Sequence, residues 1–262
     1  MPLLEARNVV MRFGGVTAVA GVSFDVEAGQ ICGLIGPNGA GKTTLFNVVS
    51  GIYRPSGGEV RFAGQTITRM PRHRMATLGI GRTFQNLALF RSMTVRGNVI
   101  AGAHSGGRSG FLANALSLPS ARAEGAAAAE RTGELLSLLS LAPLADMRVA
   151  DLPFGVQKRV EMARALACRP KLLLLDEPAG GLNHAEVDEL AELLEQVRAG
   201  FDVTILLVEH HMGLVMRVSD KVVALNFGRK IADGPPDEVR ASPEVLRAYL
   251  GDGQCAEAVH AA

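Results

Sequence analysis

Apolar residues along this 262-residue chain fall into short runs of two kinds. Near the start, Leu3 to Met11, Val19 to Val26 and Gln30 to Ile35 are brief and rich in branched aliphatic residues, which predicts strands. The third run rises directly into a glycine-rich segment, and Thr44 to Ser50 beyond it reads as a helix closed by Gly51. Two later runs, Lys171 to Leu175 and Val203 to Val208, are almost continuously apolar and end in Asp176 and in Glu209-His210. That is the pattern of parallel strands buried on both faces, whose carboxyl ends line a binding crevice. The sequence predicts an α/β fold on this ground.

Elsewhere the texture changes. Between Ala101 and Glu134 the chain turns to Gly, Ser and Ala, which predicts a loop-bearing insertion rather than a core element. Leu135, Leu138, Leu139 and Leu141 predict an amphipathic helix over Glu130 to Leu141, packed inside a helical subdomain. The segment 251–262 has small residues and no periodicity, and reads as a frayed tail. No internal repeat is visible.

Composition narrows the class. The chain is 48% hydrophobic with 5% aromatics and no Trp, and its mean hydropathy is +0.20, which fits a folded domain and excludes a disordered one. Its length suits one α/β core carrying a grafted subdomain. With 27 basic and 26 acidic residues the net charge is +1, so no global field draws the chain to nucleic acid or to an anionic membrane. The most apolar stretch, Leu135 to Ala145, is broken by Ser137, Ser140 and Pro143 and falls short of the roughly 20 residues that span a bilayer. An acidic residue at Glu5 and the lack of a small-residue cleavage site argue against a secretory signal, so a cytosolic location is expected. Cys32, Cys168 and Cys255 are scattered, and no disulfide is expected from them.

The candidate chemistry begins at Gly36-Pro37-Asn38-Gly39-Ala40-Gly41-Lys42-Thr43, a glycine, four free positions and Gly-Lys-Thr between a strand and a helix. A triphosphate is bound most cheaply by inward-pointing backbone N–H groups, and glycines permit the curvature that this requires. Lys42 then reaches the outer phosphates, Thr43 offers a hydroxyl to Mg²⁺, and Thr44 can donate to an inner phosphate. Alone, the pattern specifies only nucleotide binding, which kinases, GTPases and motor ATPases share. Asp176 ends the leucine run where a carboxylate of the Mg²⁺ coordination sphere belongs, and Glu177 beside it is the candidate to orient or deprotonate the attacking water.

Taken with this loop, Gln85 in Arg82-Thr83-Phe84-Gln85-Asn86, Leu152 to Val160, Asp176-Glu177-Pro178 and His210 resemble ABC-type ATPase subunits in identity, order and spacing, from about Leu3 to Gly251. The resemblance implies a phosphate-loop NTPase core over about 3–90 and 160–250, an antiparallel β subdomain, and an inserted helical subdomain over about 91–159. It implies that Gln85 joins the Mg²⁺ or water network, that His210 contacts the terminal phosphate, and that Phe13 stacks on adenine, with burial of Phe13 in the core as the competing reading. His211 reads as structural or surface.

Leu152-Pro153-Phe154-Gly155-Val156-Gln157 corresponds to the family's signature loop, through which Gly155 and Gln157 would face a partner's ATP; it departs from the family pattern at Pro153, Phe154 and Val156. Lacking both a hydroxyl and an N–H, Pro153 implies a weakened composite site that still closes. Gly33-Leu34-Ile35, Thr44 to Asn47, Gly81 to Phe90, Met93 to Val95, Glu177 to Asn183, Glu209 to Met212 and Arg247 to Gly251 resemble the branched-chain amino acid type of importer. The implied partners are a second ATPase subunit, transmembrane permeases and, indirectly, a periplasmic solute-binding protein, on the inner face of the membrane and without nucleic acid. A soluble ABC ATPase in a non-transport role is the alternative.

Overall fold

The computed structural model describes residues 1–83, 87–103 and 119–250. Gln85, the Gly-Ser stretch at 104–118, Cys255 and the tail 251–262 lie outside the described residues. Two sheets organise the rest. Strands β1 (Leu4–Phe13), β2 (Val16–Val26), β4 (Gly57–Phe62) and β5 (Gln65–Thr66) form an antiparallel sheet in the order β2-β1-β4-β5. Strands β3 (Ile31–Ile35), β6 (Ile80–Arg82), β7 (Leu172–Asp176), β8 (Thr204–Val208), β9 (Lys221–Asn226) and β10 (Arg229–Gly234) form a second sheet in the order β10-β9-β3-β8-β7-β6. It is parallel from β6 to β9, and β10 closes it antiparallel.

The central strands are buried at every position, and the pleat divides their side chains between two cores. Ile31, Ile35, Leu173, Leu175, Ile205 and Leu207 enter one, shared with the long helices. Cys32, Leu34, Leu172, Leu174, Leu206 and Val208 enter the other, shared with the antiparallel sheet and with α1 (Lys42–Val49). Burial pushes the Cys32 thiol up to about 12, which leaves it an inert core residue.

Nine helices follow among the described residues: α1, α2 (Met75–Leu78), α3 (Val95–Ala103), α4 (Pro119–Leu138), α5 (Phe154–Ala167), α6 (His184–Phe201), α7 (Met212–Val218), α8 (Pro236–Ala241) and α9 (Pro243–Leu250). The expected loop-bearing insertion is corrected in its second half. Helix α4 begins at Pro119, eleven residues before the periodicity at Glu130 announces it, because Ala123 to Glu130 carries the strong helix propensity of alanine without an apolar stripe. It stops at Leu138, and Ser140 just beyond has a left-handed φ of 54°. No helix is long and apolar enough to cross a membrane among the described residues.

Helix α7 packs so closely on β3 that a Cβ at Gly33 would stand 2.5 Å from Val215 Cγ1 and 2.9 Å from Ser219 Oγ. Gly33→Ala therefore forces the helix off the central strand, and urea denaturation should register a loss of about 1–3 kcal/mol without loss of the folded state.

Candidate functional site: the ends of three parallel strands

Register brings the site together. Leu34 of β3 and Asp176 of β7 both pair with Val208 of β8. The segments leaving β3 and β7 therefore emerge on either side of the end of β8, two interstrand spacings or roughly 10 Å apart.

The segment after β3 is the glycine loop, which runs from Gly36 to Gly41 into α1. Gly36, Gly39 and Gly41 have φ of 146°, 79° and 99°. Two of these positions also leave no room for a side chain: a Cβ on Gly36 would collide with the Leu225 carbonyl oxygen, and one on Gly41 with that of Ala18. The loop is pinned from outside, since the Gly228 N–H donates to the Ala40 carbonyl at 2.9 Å and the Ala20 N–H to the Gly228 carbonyl at 2.8 Å.

Within the loop, Lys42 is only 7% exposed, and its Nζ donates to the carbonyls of Gly36 at 2.7 Å and Pro37 at 3.0 Å. Burial lowers its pKa, and the nearby Glu177 carboxylate opposes that shift. Thr43 and Asn38 are exposed at the mouth, and Thr44 is half-buried. Lys42 and Glu177 thus face one space, as the strand register requires.

On the β7 side, Asp176 is 5% exposed and pairs with Arg82 of β6 at 3.1 Å. The Arg82 guanidinium also donates to the Ser50 hydroxyl and lies 4.6 Å from the centre of the Phe46 ring, so the pair is fixed to α1. Burial raises the Asp176 carboxyl above the usual range, Arg82 pulls it down, and Glu177 and Glu209 push it up again. Glu177 adopts a left-handed φ of 48°, which a glutamate rarely does. Its N–H donates to the Val208 carbonyl at 2.9 Å, and its carbonyl accepts from Gly180 N–H at 3.1 Å and from Lys158 Nζ at 3.0 Å. Lys158 donates to the Pro178 carbonyl as well, at 2.9 Å, so α5 holds the turn that presents the carboxylate.

Glu209, at the end of β8, is fully buried, and its carboxylate accepts from the N–H groups of Ala179 at 2.6 Å, His210 at 3.0 Å and His211 at 3.2 Å. One carboxylate therefore fixes the turns after both β7 and β8. It leaves the His210 side chain 59% exposed at the rim. His211 Nδ1 accepts from the Leu214 N–H at 3.3 Å and caps α7, a structural part.

Phe13 is 44% exposed and packs edge-on against Tyr53 with ring centres 5.4 Å apart. The competing expectation, a core Phe13, is not realised; its ring stands at the hairpin whose second strand abuts Gly41 through Ala18. The signature loop lies at the start of α5, with Pro153 in the capping position at φ −56° and ψ 152°. Gly155 packs against α6, where a Cβ would meet Glu186 Oε1 at 2.9 Å. The Gln157 side chain turns back to donate to the Leu152 carbonyl at 2.7 Å. Sequence reasoning gave no role to Arg82, Lys158 or Glu209. A charged residue that directly follows an apolar strand was the available signal for Glu209.

Gathering a lysine-bearing glycine loop and paired carboxylates at parallel strand ends defines a nucleoside triphosphatase of the phosphate-loop class. Residues 19–180 match the ABC transporter family model, and 229–254 match that described as the branched-chain amino acid ATP-binding cassette transporter. The chain belongs to the ABC transporter family, as one of its ATP-binding, ATP-hydrolysing cassettes.

It is 43% identical to the high-affinity branched-chain amino acid transport ATP-binding protein BraF of Pseudomonas aeruginosa over 96% of this chain and 98% of that protein. It is 41% identical to LivG of Escherichia coli, a protein of the same description, over the same shares. The solved structure of the ADP conformation of MJ1267, an ATP-binding cassette of an ABC transporter, superposes with a TM-score of 0.83 at 30% identity, covering 96% of this chain and all of that one.

Removing Arg82 leaves a buried carboxylate uncompensated, so Arg82→Met should cost about 3–5 kcal/mol at neutral pH. The penalty falls on the ionised form of Asp176. The deficit in chemical denaturation should therefore shrink as pH drops and the carboxyl takes up its proton, and grow again toward pH 8.

Proposed function

We propose that this chain powers the import of branched-chain or related amino acids, working as a pair of ATPase subunits beneath transmembrane permeases on the inner face of the membrane. The single observation that carries the catalytic part is the register of β3, β8 and β7, which sets Lys42 and Glu177 in electrostatic contact across one crevice. The solute class rests on the relatives, branched-chain amino acid transport proteins matched along nearly their whole length, and on the 229–254 match.

The residues fit Mg²⁺ with ATP. Among the described residues no cluster of three or more His, Cys, Asp or Glu forms a metal cage. Mg²⁺ needs none, since it takes one or two protein oxygens together with phosphate oxygens and water. The Thr43 hydroxyl would supply such an oxygen and the Asp176 carboxylate would hold the coordination sphere, and an ion there would neutralise charge on the phosphates.

The backbone N–H groups of Gly39 and of Gly41 to Thr44 receive the phosphates, that of Ala40 being held by the Pro37 carbonyl, and Lys42 leaves the carbonyls of Gly36 and Pro37 for the outer phosphate oxygens. Glu177 orients the attacking water and takes its proton, on a turn held rigid by Lys158 and Glu209. His210 reaches the terminal phosphate, Gln85 joins the water network, and Phe13 supplies an exposed ring for adenine. Gly155, at the start of α5, presents its backbone N–H to the partner subunit's nucleotide, with Gln157 bracing that loop through Leu152. Each catalytic centre is completed by the other subunit, and closure of the pair drives the permeases.

Two outcomes follow. Specific ATPase activity should fall steeply on dilution, because a lone subunit lacks the second half of its site; activity linear in protein down to nanomolar concentration contradicts the paired site. Glu177→Gln should lower kcat by about 10²–10⁴ while retaining Mg-ATP binding, as measured by steady-state hydrolysis beside calorimetry.

A further inference from the structure

The C-terminal helix touches the phosphate loop. Tyr249, on the last turn of α9, accepts a hydrogen bond at its hydroxyl from the Gly36 N–H at 2.7 Å, across 213 positions of sequence. Gly36 is the first residue past β3, where strand pairing no longer directs its peptide, and its φ of 146° is one that a side chain would forbid. The residue is held on both sides, since its carbonyl accepts from Lys42 Nζ at 2.7 Å. One glycine, through the two peptide groups that flank its Cα, therefore links the C-terminal helix to the lysine that must move when phosphate arrives.

The helix is firmly seated. Val245 is 3% exposed and belongs to the main core, and the helix follows α8 through Ser242, whose carbonyl accepts from the Leu246 N–H at 3.0 Å. Beside the hydroxyl contact, helix and loop are separated by an open cleft of about 490 Å³ lined by Pro37, Asn38, Phe227, Glu244 and Arg247. The phenol bridges what packing leaves apart. Burial raises its pKa, so the hydroxyl stays protonated across the physiological range.

We infer that Tyr249 is a positioning residue for the phosphate loop: its hydroxyl fixes the Gly36 peptide, so that the cradle is formed before nucleotide enters and the C-terminal segment becomes a working part of the nucleotide site. The inference rests on the ATPase reading above. A preformed loop spares the nucleotide the entropy of ordering it, so the gain lies in binding and not in the chemical step. When Lys42 leaves the Gly36 carbonyl for phosphate, the bond from the Gly36 N–H to Tyr249 remains as an anchor on that residue.

Tyr249→Phe removes the hydroxyl and keeps the ring, and the full chain is the material to use. Calorimetric titration with Mg-ADP should show Kd raised roughly two- to tenfold, the range of one neutral hydrogen bond. KM for Mg-ATP should rise in step, kcat at saturation should stay within about twofold, and the Gly36 amide should exchange faster with deuterium. Unchanged Kd and KM, a fall in kcat at constant KM, or undiminished protection of the Gly36 amide would each overturn the assignment. A wild-type chain that failed to bind Mg-ADP would overturn the ATPase reading together with it, whereas normal wild-type binding beside an unaltered variant defeats the tyrosine alone.

Discussion

Three buried parallel strands end level with one another, and the site depends on that constraint. Leu34 and Asp176 share Val208 as their register partner, so a one-residue slip of β7 would turn its aspartate to the opposite face and move the following turn away from the glycine loop. Four consecutive leucines would fill both cores equally well after such a slip, so the register is fixed where the run ends: Asp176 pairs with Arg82, and the Glu177 N–H donates to the Val208 carbonyl. Packing buries the strand, and these polar contacts set where it stops.

Those groups are expensive to bury, and nearly every one is matched. Lys42 is satisfied by two carbonyls of its own loop, Asp176 by Arg82, Glu209 by three N–H groups, and Lys158 by the carbonyls of Glu177 and Pro178. The pattern divides into fixed and exchangeable parts. Glu209 and Lys158 bind backbone and hold turns in place. Lys42 and Asp176 have partners that phosphate and a hard cation can replace with like chemistry, so binding exchanges one satisfied arrangement for another.

The glycine loop, its flanking strand and helix, and the acidic ends of β7 and β8 were legible because each is written in consecutive residues. Lys171 to Leu175 announces a strand buried on both faces, and Asp176 announces its end. Other features rest on distant partners and leave no local mark. Arg82 is an ordinary arginine until Asp176, 94 positions away, stands opposite it. The first half of helix α4 was concealed because alanine forms helices without displaying a stripe. Tyr249 read as a match to a relative's motif, and its hydroxyl contact belongs to a turn formed more than two hundred residues earlier. Phe13 was singled out by the resemblance alone, and its exposure depends on the hairpin at Gly14 and Gly15 carrying it clear of the core.

The most direct test is a crystal structure with Mg²⁺ and a non-hydrolysable ATP analogue. The account predicts the phosphates seated on the N–H groups of Gly39 and of Gly41 to Thr44, Lys42 Nζ withdrawn from the carbonyls of Gly36 and Pro37 onto phosphate oxygens, and Asp176 and Glu177 facing the metal and the terminal phosphate. Phosphates bound elsewhere, or a Lys42 still holding both carbonyls beside a bound nucleotide, would contradict it.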